Sequence, residues 1–300
     1  MPVFTTPEPI SVTIELSMGD ARIIASDRTD TIIEVRPRDD SKASDIKAAE
    51  QTQVEYASGR LLVKSRQRNF IYEGARSVIG PGRGSPVVDV TIELPAGSQV
   101  QGDSGMGDIG CEGHLGECRF KTGMGNIRLD HTGTLHLKTG MGTIAVDRAL
   151  GDADVTTGSG DVRIGQIEGA AVIKNSNGDT AVGEVTGDLR VKSANGRITV
   201  DRAHASLTAK TANGNIRIGE VMRGAIVLET AAGELEVGIR EGTAAWLDVS
   251  SQYGRVRNSL DEAGSPEQSE ATVEIRARTS YGDIKIHRSN QSTQTRSKQP

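Results

Sequence analysis

The residues with the most evident chemistry lie in CEGHLGEC, where Cys111, His114 and Cys118 fall close together and His131 follows. Thiolate and imidazole donors at such spacing loosely match a zinc site. The same two cysteines could instead form a disulfide, or fill a core as small apolar side chains. A second set is a series of lysines, Lys121, Lys138, Lys174, Lys192 and Lys210, with Thr156 in the place between Lys138 and Lys174. Ammonium groups sharing one face would offer charge to a lipid headgroup, a polyanionic glycan or an acidic protein. The competing reading is that they extend into solvent and pair with neighbouring acids such as Asp130, Asp147, Asp154 and Asp201. A third set is Asp161 and Asp179, since paired outward carboxylates cleave glycosidic bonds in some β-helical enzymes. Equivalent places hold Asn126, Thr143, Arg197 and Asn215, which makes these acids turn residues first. The phrases TGMGNIRL, TGMGTIAV and TGSGDVRI are glycine-rich, yet no Gly-Lys-Ser/Thr follows and a strand comes next, so they are not phosphate loops.

Every one of these residues is placed by a repeat. Aligned on the second glycine of each phrase, the pivots are Gly107, Gly125, Gly142, Gly160, Gly178, Gly196, Gly214, Gly233, Gly254 and Gly282. Successive gaps are 18, 17, 18, 18, 18, 18, 19, 21 and 28 residues. Such regularity marks a repeat architecture. Two and four places after the pivots stand pairs such as Ile127 with Leu129, Ile144 with Val146 and Ile198 with Val200. Polar residues such as Arg128 and Thr199 fall between them, the period-two alternation of a strand with one buried face. Seven and five places before the pivots stand Cys118 with Phe120, Leu135 with Leu137, and Leu189 with Val191, a second strand. A Ser/Thr column three before the pivots reads as a corner ladder of hydroxyls. A further apolar place seven after, held by Ala149, Ile167 and Val185, reads as a short third side.

One such unit has too little apolar surface to fold alone, and stacked units bury a continuous core. The predicted fold is all-β, a single-stranded parallel β-solenoid (β-helix) of about 18-residue coils, each laid on the last at about 4.8 Å. An antiparallel meander with two strands per repeat is the competing fold. Residues 1–100 read as an irregular β-rich N-terminal cap, 101–286 as the regular coils, and 287–300 as a disordered tail. Within the cap, 41–51 reads as a helix with Ile46 and Ala49 on one side. Gly59 with Leu61 and Val63 echoes the repeat, and Gly19 does so more faintly. The stretch 66–86 reads as a long mobile loop, and SLDEAGSPEQSEA from Ser259 as an insertion behind the last gap.

Composition narrows the function classes. Aromatic residues are 3% of the chain, so the interior must be aliphatic, and the regular part offers no cluster of Trp or Tyr on which a sugar would stack, Trp246 standing alone. A net charge of −5 gives no nucleic-acid signal, because that affinity rests on neutralising phosphates. No apolar run reaches the length of a membrane helix, and MPVFTTPEPISVTIEL lacks the pattern of a signal peptide. The expected compartment is the cytoplasm, with peripheral association to the envelope as an option.

The phrase VDVTIELPAGSQVQGDSGMGDI, followed by repeated TGxGxIxL and SANGRITV units, resembles a bacterial family of unknown function known as the candidate-adhesin or toast-rack domain. The resemblance runs from about Ile10 to Ile286. It implies a single-stranded β-helix and a non-enzymatic role in binding or assembly, often linked with cell-envelope stress signalling. It brings no catalytic residues. The expectation is a binding or assembly module without a cofactor, whose partner is an anionic ligand or another protein. The alternatives are a β-helix enzyme acting on a polysaccharide and a protein that self-associates through its solenoid ends.

Overall fold

The structure is a computed structural model that describes residues 1–65, 86–260 and 271–289. The expected loop over 66–86 (apart from Pro86), most of the insertion after Ser259 and the expected tail from residue 290 lie outside those residues. The tail begins later than expected, because His287 and Arg288 are in a strand opposite Gly238 and Ile239 and Ser289 is buried. The chain forms two compact units, residues 1–180 and 181–300.

The first unit contains β1 (Val3–Thr5), β2 (Ser11–Met18), β3 (Ala21–Ser26), β4 (Asp30–Pro37), the helix α1 (Ala43–Glu50), β5 (Gln53–Ala57), β6 (Arg60–Lys64), β7 (Val88–Pro95), β8 (Gln99–Met106) and β9 (Ile109–Leu115). The regular coils continue with β10 (Cys118–Met124), β11 (Ile127–Thr132), β12 (Leu135–Met141), β13 (Ile144–Ala149), β14 (Ala153–Ser159), β15 (Val162–Ile167) and β16 (Ala171–Asn177). Strands that follow a pivot form sheet A together with β1, β4 and β7, in the order β1-β4-β7-β3-β9-β11-β13-β15. Strands that precede a pivot form sheet B together with β5 and β6, in the order β16-β14-β12-β10-β8-β2-β6-β5.

Each regular coil lies in register on its neighbour. In sheet A, Ile109, Ile127, Ile144 and Val162 form one file. In sheet B, Phe120, Leu137, Val155 and Ile173 form another. All are buried, and all these pairings are parallel, which excludes the meander. The fold is the parallel β-solenoid that the repeat predicts. It is two-sided, because the expected third side is the end of each sheet A strand, where Ala149 pairs with Ile167.

The pivots show why the repeat keeps glycine. Gly125 has φ of +150°, and a Cβ there would stand 1.9 Å from the carbonyl oxygen of Gly107 one coil away. The Ser/Thr column does not form the expected ladder of hydroxyls bonded to one another. Thr139 Oγ1 instead donates to the carbonyls of Gly125 at 3.2 Å and Met141 at 3.1 Å. Thr230 and Thr279 likewise donate to the pivot carbonyls of Gly214 and Gly233, each at 3.1 Å, while Ser104 and Thr157 at the same corner are buried without a hydrogen-bond partner among the described residues.

The N-terminal strands correct two readings. Gly19 is a full pivot, because β2 and β3 on either side of it pair directly with β8 and β9. Gly59 is not, because Leu61 and Val63 lie opposite Val12 and Ile14 in sheet B, where strands preceding a pivot belong. Beyond these strands the pairing turns antiparallel, β4 on β7, β1 on β4 and β5 on β6. The helix packs on β4 and β7. It buries Asp45, whose Oδ1 accepts the Val87 N–H at 3.3 Å, and leaves Ile46 exposed.

The second unit comprises β17 (Thr180–Val185), β18 (Leu189–Asn195), β19 (Ile198–Ala203), β20 (Leu207–Asn213), β21 (Ile216–Val221), β22 (Gly224–Ala232), β23 (Leu235–Ile239), β24 (Thr243–Tyr253), β25 (Val256–Asn258), β26 (Ala271–Tyr281) and β27 (Ile284–Arg288). Sheet A runs β17-β19-β21-β23-β27-β25, and sheet B runs β18-β20-β22-β26-β24. Coils here do not all stack in chain order. The coil of Gly282 sits between that of Gly233 and that of Gly254. Core demand explains the exchange. The inserted coil presents Val273, Ile275, Ile284 and Ile286, all buried. The outer coil presents Asn258 at the place where Ile286 stands, and a polar side chain there is better placed at an end.

Candidate functional site

The cysteines and histidines of the zinc-like phrase do not converge. Cys111 and Cys118 point inward as free, buried thiols, whereas His114 and His131 are exposed and paired in register on the outside of sheet A. Burial pushes the Cys118 thiol up to about 11, and burial raises Cys111 well above its ordinary value. Ligation needs the thiolate, which this interior disfavours.

Asp161 and Asp179 belong to a corner ladder. Asp161 Oδ1 accepts the Asp179 N–H at 3.1 Å, and Asp161 Oδ2 pairs with Arg163 at 2.7 Å. Asp108 Oδ1 accepts the Asn126 N–H at 2.8 Å, and Asn126 Oδ1 accepts the Thr143 N–H at 2.9 Å. In the second unit Asn215 Oδ1 accepts the Glu234 N–H at 2.9 Å. Each side chain holds the turn of the next coil, which is why Asp and Asn recur there.

The lysines lie on the outward side of sheet B, on strands whose inward residues fix the register beneath them. In the first unit Lys121 is in register with Lys138, Lys138 with Thr156, and Thr156 with Lys174. All three lysines are exposed. The inward Phe120 beneath this row is fully buried and uses the room left by Gly102, where an added Cβ would stand 2.8 Å from its ring. Beside the lysine row runs a second outward row, Arg119, His136 and Asp154. The two rows border an open cleft of about 270 Å³.

The acids that meet the lysines are not all the expected ones. Asp130, Asp147 and Asp201 are on sheet A, the sheet opposite in sequence role, and only Asp154 borders the cleft. Lys121 instead pairs with Asp103 at 3.6 Å, its neighbour in the same row. In the second unit Lys192 and Lys210 are in register, and Lys210 pairs with Glu229 at 2.6 Å. Lys138, Lys174 and Lys192 form no ion pair among the described residues.

Sequence reasoning passed over two exposed features. Met106, Met124 and Met141 stack in register one place before their pivots, with Met124 and Met141 exposed. The thrice-written Gly-Met-Gly carried that signal. Trp246, Tyr253 and Tyr281 are exposed in the second unit, with the two tyrosine rings stacked at 4.9 Å. No helix among the described residues is long and apolar enough to cross a membrane.

Comparison with known proteins places the chain by its repeat. Solved structures similar to it include a candidate adhesin from Parabacteroides merdae, 13% identical, covering 79% of this chain and 94% of that one with a TM-score of 0.42. A candidate adhesin from Bacteroides fragilis is 10% identical, covers 95% of each chain and has a TM-score of 0.29. A candidate cell adhesion protein from Clostridium sporogenes is 11% identical, covers 96% and 98%, and has a TM-score of 0.21. No curated protein matches. The Toastrack DUF4097 model matches residues 11–287, and the chain therefore belongs to the Toastrack DUF4097 family.

Proposed function

We propose that this protein is a non-enzymatic binding module that presents the outward lysines of sheet B to an anionic surface. The observation that carries the reading is the register of Lys121 on Lys138, continued through Thr156 to Lys174. Neighbouring strands lie about 4.8 Å apart, so like charges in adjacent places repel and folding alone gives no reason for them. Lys138, Lys174 and Lys192, without acidic partners among the described residues, are the groups most free to meet phosphate or carboxylate. The anionic class favoured is the lipid headgroup, because ammonium groups recurring along one outward row match a repeating charged plane. In this reading the protein works in the cytoplasm and meets the envelope peripherally. The polysaccharide-cleaving alternative has less support, since the Asp161 carboxylate holds the turn at Asp179 and pairs with Arg163.

Charge reversal tests the reading. Lys138→Glu with Lys174→Glu should weaken sedimentation with vesicles of acidic phospholipid by about tenfold or more. The wild-type affinity should fall steeply between about 50 and about 300 mM NaCl. Equal binding by the variant and the wild type would remove the lysines from the site. Retention on a polyanion column but not on vesicles would replace the lipid with a polymer.

A further inference from the structure

We infer that the outer coil of the second unit, β24 with β25, is the contact surface of a two-fold dimer. This does not depend on the lysine reading. Both strands are the last members of their sheets, so among the described residues their outer N–H and C=O groups face no neighbouring strand. Proteins usually blunt such edges with lysine, proline, bulges or a short strand. β24 has none of these. It runs 11 residues, TAAWLDVSSQY, with Asp248 as its one charge, and Arg278 of the inner neighbour occupies that carboxylate at 3.2 Å.

The side chains repeat the message. One coil inward, Ile275, Ala277, Ile284 and Ile286 are buried. Their partners in the outer coil are Leu247, Val249, Val256 and Asn258. Leu247 and Val249 are only half-buried, Val256 is 43% exposed, and Trp246 on the same edge strand is 67% exposed. The outer coil is a cross-section of the core left facing water. In the first unit the corresponding outer strands are finished differently, with antiparallel β1 and β5 and the helix on β4 and β7.

A second copy turned about an axis normal to the sheets would lay β24 antiparallel on its own counterpart. Pairing odd-numbered residues with odd-numbered ones keeps Leu247 and Val249 on the inward side of both copies. The strand is about 36 Å long and the sheets lie about 10 Å apart, an end face of about 360 Å² that outward side chains widen to at most about 650 Å² of each copy. The total, about 700–1,300 Å², spans weak, concentration-dependent contacts and the low end of stable ones.

Light scattering after size exclusion, over a dilution series, tests this on the full chain. The wild type should plateau at twice the chain mass by about 100 µM. Trp246 is the chain's sole tryptophan, so its emission should shift to the red as the dimer dilutes apart. Leu247→Lys with Val249→Lys should raise the dissociation constant by about a hundredfold or more. Val3→Lys, on the exposed end of the first unit, should leave it unchanged. A mass that stays at one chain throughout, or emission independent of concentration, overturns the inference. A mass that keeps rising without a plateau overturns the two-fold arrangement in favour of open, head-to-tail growth.

Discussion

At the scale of one residue, the pivot glycine is the most constrained position in the coil. A methyl group on Gly125 meets the Gly107 carbonyl oxygen at 1.9 Å and must also hold a φ of +150°. The obstacle is backbone, which cannot swing aside as a side chain can. Gly125→Ala should therefore cost about 3 kcal/mol or more, read as a lower urea midpoint with an unchanged slope. Three places earlier, the hydroxyls of Thr139, Thr230, Ser251 and Thr279 each feed a pivot carbonyl, whereas those of Ser104 and Thr157 are buried without a partner among the described residues. Asn175 does the same work through Nδ2, donating to Gly160 and Gly178 at 3.1 and 2.9 Å. The periodic spacing made both positions legible in the sequence. The bonding of the hydroxyl was not legible, because spacing shows which residues align but not which acceptor lies nearer.

At the scale of the element, sheet B is fitted from beneath as much as from its face. Phe120 fills the space that Gly102 leaves empty. Gly102→Ala should overpack the site and cost about 1–3 kcal/mol. Combining it with Phe120→Leu should cost less than the sum of the two single changes, a coupling that urea unfolding of all four proteins would measure. Strand positions and inward faces followed from alternation, since Ile127, Ile144 and Val162 have one pattern and one fate. Strand order did not follow. Leu247 with Val249 alternates as Ile275 with Ala277 does, and alternation cannot say which coil is covered. Gly59 misled for the same reason, because Leu61 and Val63 have the right period in the other sheet. The lysine row was legible as a shared face. Its acids were not legible, because Asp103 and Glu229 stand in the row itself whereas the expected Asp130, Asp147 and Asp201 lie on the other sheet.

At the scale of the whole molecule, buried thiols tie stability to pH. Cys118 has a folded value of about 11 against 9.0 for the free side chain, raised by burial. The unfolded chain therefore loses its proton first as pH rises. The contribution is fully present below about pH 9 and disappears as pH climbs through about 11. The wild type should lose stability between those values by more than Cys118→Ala does, measured as urea midpoints at matched pH.

The exchanged coils near the end of the chain set the timetable of synthesis against the plan of the building. A ribosome releases β24 and β25 before β26 and β27, yet the later pair occupies the seat beside β22 and β23. For a brief interval the early pair finds that seat vacant, with the same alternation of side chains to recommend it. If the early pair takes that seat, completion must move this first tenant one storey outward, and the final step of assembly is then an eviction rather than an addition.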